Sequence, residues 1–145
     1  MKPYKHKVQY YETDQMGIVH HSNYIRWFEE ARIDMMDQMG LGYDQMEKRG
    51  IVSPVIAVEA DYLRMVRFGG TVTIETAIKE YNGIKLEIGY RVVDDTTGMV
   101  HCRGLTKHCF LNQKGRPVSL KKEDSEIHEM FMNNYMKDAD TNSDK

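Results

Sequence analysis

Apolar residues recur with helical spacing in the segment that follows Asn23. Between residues 24 and 40 they fall at i, i+3, i+4 and i+7, and charged residues occupy much of the remaining surface. Ser22 is suited to cap the start of such a helix through its hydroxyl, and Gly40 is suited to end it. The pattern predicts one long helix with a single buried face, formed by Tyr24, Trp27, Phe28, Ala31, Met35, Met36 and Met39.

Alternating apolar and polar residues predict strands in most of the remaining chain. The Asn82-Gly83 pair is the strongest hairpin signal, because both central positions of a type I′ turn need positive φ. It therefore joins two antiparallel strands. A short helix is expected at residues 43–49, and a polar helix at residues 120–136. The strands are expected at about residues 4–12, 52–66, 71–81, 84–93 and 99–111.

These elements define the fold class as α+β. A single amphipathic helix has no other apolar partner, so the sheet must cover it. The length of 145 residues is that of one domain, which we assign to residues 1–136. The small and charged residues 137–145 are expected to form a disordered tail.

Composition narrows the classes of partner and location. Hydrophobic residues make up 41% of the chain, which is enough for a core, and the net charge of -2 gives no electrostatic case for nucleic acid. No apolar run approaches the ~18 residues of a membrane span. Residues 1–7 lack the apolar core of a signal peptide, so a cytoplasmic location is expected.

Several common chemistries lack their sequence signatures. No serine stands in a G-x-S-x-G frame, and the histidines show no metal-binding spacing, so neither a metal nor a cofactor is expected. Cys102 and Cys109 lie at an odd separation in one predicted strand, so they face opposite sides and cannot bond to each other. His101 precedes Cys102, but neighbouring strand residues also face opposite sides, which favours a buried thiol over a nucleophile.

One carboxylate lies where it could take part in chemistry. Asp14 belongs to a turn-like segment a few residues before the predicted helix. Unpaired N–H groups and the helix dipole make a helix N-terminus a site for a carbonyl oxygen or an anion. Asp14 is therefore a candidate for hydrolytic chemistry, although an aspartate in this position is also commonly just a turn residue.

The run YETDQMGIVHHSNY at residues 11–24 resembles the signature of hotdog-fold acyl-CoA thioesterases of the 4-hydroxybenzoyl-CoA thioesterase family. The similarity continues through WFEEAR at residues 27–32 and covers most of residues 4–120. Glu12 stands where the family usually has Asp, and His20 where an apolar or aromatic residue is usual. The resemblance implies a single hotdog domain, in which a long antiparallel sheet wraps around one central helix.

The resemblance also assigns roles to individual residues. Asp14 would be a general base or a nucleophile, and the backbone N–H of His21 would hold the developing oxyanion. Gly17 would allow close approach of the substrate, and Tyr24 would combine core packing with an edge of the pocket. The full set of expected substrate-binding residues is Gly17, Val19, Tyr24, Arg64, Arg67 and Lys85, with the three basic residues holding the CoA phosphates.

Hydrolysis of an acyl-CoA thioester is thus the expected activity, with an acyl-CoA as the partner molecule. Members of the family form dimers or tetramers in which the sheet continues between chains, so a homodimer or homotetramer with shared sites is expected. A non-catalytic acyl-CoA sensor and a thioesterase acting on acyl carrier protein remain alternatives. A hotdog hydratase fits less well, because His20 lies six residues after Asp14 rather than about five.

Overall fold

The structure of the protein is a computed structural model that describes residues 2–143. Its strands form one five-stranded sheet in the order β1-β3-β4-β5-β2. The strands are β1 (Tyr4–Lys7), β2 (Val55–Tyr62), β3 (Thr71–Tyr81), β4 (Lys85–Asp94) and β5 (Val100–Cys109). The helices are α1 (Ser22–Gln38), α2 (Tyr43–Lys48), α3 (Leu120–Glu123) and α4 (Ser125–Ser143), with a 3-10 turn at Tyr10–Glu12. No helix in the described range is long and apolar enough to cross a membrane.

The chain forms two compact units built from interleaved segments. The first unit contains the chain up to Met35, Glu59–Thr76 and Tyr90–Leu105. Within it, β1 pairs antiparallel with β3, so that Tyr4 lies opposite Ile74 and Lys7 opposite Thr71. The core of this unit is formed mainly by Val8, Val19, Tyr24, Trp27, Phe28, Ala31, Met35, Val66, Val72, Ile74, Tyr90, Val92 and Cys102.

Helix α1 confirms the predicted helix and most of its buried face, and it ends before Gly40. Met36 and Met39 of the predicted face are only half-buried, and Met39 lies beyond the last residue of the helix. Its buried face in the first unit stacks on the sheet through Phe28, whose ring lies 4.6 Å from that of Tyr90 on β4. Gly104 on β5 lies against the same ring. Ser22 does not have the predicted capping contact, because its hydroxyl pairs with Nδ1 of His20 at 2.8 Å. Ser22 is instead the first residue of the helix.

The second unit contains Met36–Val58, Ala77–Gly89 and the chain from Thr106 onward. Its core centres on aromatic rings: Tyr81 at the end of β3 stacks on Phe131 of α4 at 5.3 Å, and Phe110 packs on both. The hydroxyl of Tyr81 lies 2.8 Å from Nδ1 of the buried His128. These contacts hold α4 on the strands of this unit.

The predicted type I′ turn at Asn82-Gly83 is not formed, although the hairpin is. Only Gly83 has positive φ, at 91°, and no residue other than glycine in the described range does. The Asn82 side chain builds the turn instead, because its Oδ1 accepts the N–H groups of Ile84 at 2.9 Å and Lys85 at 2.8 Å. An Asn that bonds to its own following backbone stabilises a turn without adopting positive φ.

Three strands are shorter than predicted, and β5 differs least, since it covers Val100–Cys109 rather than residues 99–111. The first ends at Lys7, because the chain turns into the 3-10 segment, where the Glu12 carboxylate accepts the Gln9 N–H at 2.7 Å. The strand predicted at residues 52–66 is regular only over Val55–Tyr62, since the next two N–H groups both donate to the carbonyl of His101. Most residues of this strand are exposed, whichever face they occupy.

The C-terminal helix also differs from its prediction. Asp124 has extended backbone and separates α3 from α4, where its Oδ1 accepts the Ile127 N–H at 3.2 Å. Helix α4 then continues to Ser143, so residues 137–143 do not form the predicted disordered tail. The Asp138 carboxylate accepts the Ile78 N–H of β3 at 2.8 Å, which connects this part of α4 to the strand. Residues 144–145 of the predicted tail lie outside the described residues, and the assignment of residues 1–136 as one domain stays a prediction.

Candidate active site

The turn at Asp14 holds its carboxylate by one oxygen. Oδ1 accepts the N–H groups of Met16 at 2.8 Å and Ile18 at 3.2 Å, and the backbone can double back because Gly17 has a φ of 71°. The side chain is exposed, and no donor within residues 2–143 contacts Oδ2. One carboxylate oxygen is therefore fixed, and the other is open to water or to a substrate.

The segment carrying Asp14 is a small antiparallel hairpin. Thr13 pairs with Val19, and the Asp14 N–H donates to the Ile18 carbonyl at 2.8 Å. Its second arm pairs with the chain near Val66, whose carbonyl accepts the Val19 N–H at 2.8 Å. Val19 is buried, with 5% of its surface exposed, so its side chain belongs to the core under the hairpin.

The second arm leads directly into the N-terminus of α1. The Ser22 N–H donates to Nδ1 of the His20 ring at 3.2 Å, and the Asn23 N–H donates to the His20 carbonyl at 3.0 Å. The His21 N–H differs from both, because no group within the described chain accepts it. The residue is exposed, and its imidazole lies beside that of His20, with ring centroids 4.2 Å apart. An unpaired N–H at a helix start is available to a carbonyl oxygen.

Tyr24 was expected to pack in the core and to form an edge of the pocket, and the structure places it in the core. Only 3% of it is exposed, and its ring packs 5.0 Å from Trp27 and 5.1 Å from Tyr62. Burial raises the pKa of the Tyr24 hydroxyl to about 12, so this group stays protonated at neutral pH.

Cys102 lies in the same core. Burial raises the pKa of its thiol to about 12, and a thiol that keeps its proton is a poor nucleophile. Both cysteines are free, as predicted. No group of three or more histidine, cysteine, aspartate or glutamate side chains within the described chain could hold a metal ion.

Two of the three predicted basic residues lie in the same unit as Asp14. Arg67 pairs through its backbone with Ile18 of the hairpin, and its side chain is exposed. Arg64 is also exposed, and its Nη1 donates to the Val100 carbonyl at 2.8 Å. Lys85 belongs to the second unit, where its N–H donates to the Asn82 side chain at 2.8 Å.

Sequence reasoning missed the role of Glu12 in this unit. The side chain is buried, with 4% exposed, and accepts hydrogen bonds from His6, from the Gln9 N–H and from Trp27. Burial by itself would raise the pKa of the Glu12 carboxyl, but the bonds from His6, Gln9 and Trp27 outweigh it and hold the pKa below its ordinary value. The glutamate in place of the family's usual Asp marked this position as unusual in the sequence. Its hydrogen-bond partners His6 and Trp27 lie 6 and 15 residues away along the chain, so the sequence did not show what it binds.

Acidification is expected to weaken the fold through Glu12. Its pKa is lower in the folded chain than the ordinary 4.5, so its contribution to stability is complete above 4.5 and is lost as pH falls through the folded value. Urea unfolding of wild type and Glu12→Gln checks this at neutral pH and at several values below 4.5. The difference in free energy of unfolding should narrow with falling pH, whereas a constant difference would contradict the assignment.

An exposed carboxylate turn that leads into the long helix of a five-stranded α+β fold is what the resemblance to hotdog-fold thioesterases implies. A sequence profile of the Thioesterase-like superfamily matches residues 8–134. The chain belongs to this superfamily, which makes the protein an enzyme of the thioesterase class. The recognition from residues 11–24 and the hotdog fold class are both confirmed.

Individual relatives agree with this assignment. The chain is 33% identical over 126 residues to the "Putative acyl-CoA thioesterase YneP" of Bacillus subtilis (strain 168), covering 86% of this chain and 91% of that protein. It is 32% identical over 124 residues to the "Putative esterase" of Aquifex aeolicus (strain VF5), covering 86% and 94%. A solved structure of a DHNA-CoA thioesterase from Staphylococcus aureus superposes with a TM-score of 0.88 at 28% identity, covering 99% of this chain and 95% of that one.

Proposed function

We propose that this protein hydrolyses an acyl-CoA thioester to a carboxylic acid and free CoA, with Asp14 at the reacting centre. The observation that carries the proposal is a carboxylate held by one oxygen, on a hairpin that ends at the unpaired His21 N–H. The names of the similar Bacillus subtilis and Staphylococcus aureus proteins, an acyl-CoA thioesterase and a DHNA-CoA thioesterase, support this substrate class.

In the first route, Asp14 acts as a general base through Oδ2. It takes a proton from a water molecule, whose oxygen attacks the thioester carbonyl carbon. The negative charge that develops on the carbonyl oxygen is stabilised by the His21 N–H, which is already oriented by the helix start. When the intermediate collapses, the C–S bond breaks and the proton on Asp14 passes to the leaving thiolate.

In the second route, Oδ2 of Asp14 is the nucleophile. It bonds to the carbonyl carbon and expels the CoA thiolate, which leaves a mixed anhydride between Asp14 and the acyl group. Water then opens the anhydride, which gives the carboxylic acid and restores the Asp14 carboxylate, and the remaining proton of the water neutralises the thiolate. Both routes consume one water and give the same products, and both use the same free oxygen and the same N–H donor.

The residues proposed to bind the substrate belong to the same unit as the reacting groups. The exposed guanidinium groups of Arg64 and Arg67, in the same unit as Asp14, suit the phosphates of CoA. Gly17 has the positive φ that the turn needs, and an added Cβ there would meet no atom within 4 Å, so the space above it is open to a closely approaching substrate. Lys85 and Val19 stay predictions without support from these contacts.

The test is CoA release from a panel of short, medium, long and aromatic acyl-CoAs. Turnover of one class supports the proposal and identifies the acyl group. Binding of an acyl-CoA without release by the wild type would favour the sensor alternative, and turnover of an acyl carrier protein thioester alone would favour the second alternative. The aromatic members are included because the Staphylococcus aureus relative is named for an aromatic acyl-CoA.

We further propose that the active protein is a homodimer formed through β2. This strand is at one end of the sheet, and it exposes apolar side chains along its length. An unpaired apolar edge favours pairing with another strand. The exposed apolar residues are Val55, Ile56, Val58 and Tyr62. A cytoplasmic location and a further step to a tetramer stay predictions.

Sedimentation is expected to give a mass of twice the chain's 17.0 kDa. Val58→Lys should weaken the dimer at least about tenfold, because a charge without a partner would be buried at the interface. Met136→Lys is the matched control, since Met136 is also an exposed apolar residue but lies on α4. A wild type that sediments at the mass of one chain would refute the dimer, and equal weakening by both substitutions would refute the role of β2.

A further inference from the structure

The first unit contains a charged group that the proposed reaction does not use. Glu12 is the only carboxylate-bearing residue in the described chain that is buried, and it lies two residues before Asp14. Burying a carboxylate is unfavourable unless hydrogen bonds replace its hydration. The contacts of Glu12 therefore indicate what its burial achieves.

The carboxylate joins three separate elements. Oε1 accepts a hydrogen bond from Nε2 of His6 on β1 at 2.8 Å and another from the N–H of Gln9 at 2.7 Å. Oε2 accepts a hydrogen bond from the indole N–H of Trp27 on α1 at 2.6 Å. Short hydrogen bonds to an ionised acceptor are among the stronger ones in proteins. A single side chain thus ties the first strand, the turn after it and the long helix together.

The backbone carbonyl of Glu12 adds two more connections. It accepts the His20 N–H at 2.9 Å and Nδ2 of the buried Asn23 at 2.8 Å. Glu12 and His20 are the two ends of the hairpin that carries Asp14. The base of this hairpin is therefore closed by one residue and fastened to the first turn of α1.

His6 continues the network back to the helix. Its Nδ1 lies 3.2 Å from Oε2 of Glu30 on α1, and the Tyr4 hydroxyl donates to the same oxygen at 3.2 Å. Its ring also packs 4.9 Å from that of Trp27. With a carboxylate at each ring nitrogen, the orientation of the His6 ring is fixed from both sides.

We propose that Glu12 is the positioning residue of this active site: it holds the segment from Asp14 to His21 in place against α1 without touching the substrate. This inference rests on the proposed function, because the segment ends in the carboxylate and the N–H that the reaction uses. Catalysis needs both groups at the same carbonyl, and a displacement of about 1 Å can lower a rate on the order of 100-fold.

The experiment compares kcat and KM of wild type, Glu12→Gln and Trp27→Phe on the acyl-CoA that turns over fastest. In Glu12→Gln the amide presents a donor where a carboxylate oxygen accepted one, and Trp27→Phe removes the indole N–H together with part of the buried ring system. We expect each to lower kcat by about 10- to 100-fold while KM changes less than about threefold. The double variant should be little worse than either single variant, because both break the same link.

Tyr81→Phe is the matched control. It also removes one buried side-chain hydrogen bond of an aromatic residue, the 2.8 Å contact to His128, but in the second unit. It should lower stability and leave kcat unchanged. A kcat within about twofold of wild type in both Glu12→Gln and Trp27→Phe would overturn the positioning role, as would an equal loss of kcat in Tyr81→Phe.

Hydrogen exchange separates this inference from the proposed function. The N–H groups of Met16 and Ile18 bond to Asp14, so their exchange reports whether the turn is held. We expect faster exchange there in Trp27→Phe and not in Tyr81→Phe, whether or not the wild type releases CoA. Inactivity of the wild type would remove the proposed function alone, and unchanged exchange would overturn the positioning role alone. If Glu12→Gln does not fold, Trp27→Phe carries the same test.

Discussion

Replacing Asp14 with Asn is expected to lower kcat for thioester release by about 10²- to 10⁴-fold, the range typical of removing a general base. The substitution retains Oδ1, which can still accept the N–H groups of Met16 and Ile18 that hold the turn. What it removes is the negative charge and the second acceptor oxygen, and both routes need these. Folding, acyl-CoA binding and the shape of the turn should be unchanged.

A matched control for this substitution exists elsewhere in the chain. Asp94 also begins a turn, where its Oδ1 accepts the N–H groups of Thr96 at 2.9 Å and Thr97 at 2.8 Å. Asp94→Asn removes a charge from the same kind of turn and should leave kcat at the wild-type value. If Asp14→Asn keeps full kcat, or if Asp94→Asn loses as much, then Asp14 is an ordinary turn residue. CoA release under saturating substrate gives the comparison.

The second large effect concerns stability and arises at Gly104. A Cβ at this position on β5 would overlap the ring of Phe28, and that ring is fully buried and stacked on Tyr90. Because the ring is enclosed in the core, Gly104→Ala should lower the free energy of unfolding by about 1–3 kcal/mol, the usual range for overpacked cores. Denaturant unfolding measures the change.

Gly70→Ala is the control, because a Cβ there would meet its nearest atom at 3.8 Å and the backbone φ is not positive. It should be nearly neutral. Adding Phe28→Leu to Gly104→Ala should recover part of the loss, since a smaller side chain makes room for the methyl group. A Gly104→Ala variant as stable as Gly70→Ala would show that the helix and the strand can separate without cost.

The local pattern of the sequence was sufficient for the elements whose periodicity is uninterrupted. The 71–81 strand is observed as predicted, and the long helix has its predicted buried face at Tyr24, Trp27 and Phe28. The hairpin at Asn82 was also found, although the turn uses the Asn side chain rather than positive φ. In these segments the solvent-facing and core-facing positions alternate along the chain, so the pattern carries the structure.

Predictions of element ends were less successful, because ends depend on contacts from distant segments. The first strand stops where the Glu12 side chain accepts the Gln9 N–H and also binds Trp27 on α1, and α4 extends past residue 136 where Asp138 binds the Ile78 N–H. Trp27 and Ile78 are too distant in sequence from their partners to alter a local pattern, so composition alone predicted a tail for the second segment.

The sequence by itself determined the class of protein, the long helix, and the candidate carboxylate Asp14 on a turn before that helix, because these depend on residues close together in the chain. Only the tertiary structure decided that one oxygen of Asp14 is anchored, that the His21 N–H has no acceptor within the described chain, and that Glu12 is buried against His6 and Trp27. Whether a charged group is solvated or enclosed depends on which segments fold onto it. Side chains from a strand and a helix, and a backbone N–H from a turn, enclose Glu12, and no local pattern in the sequence shows that they meet.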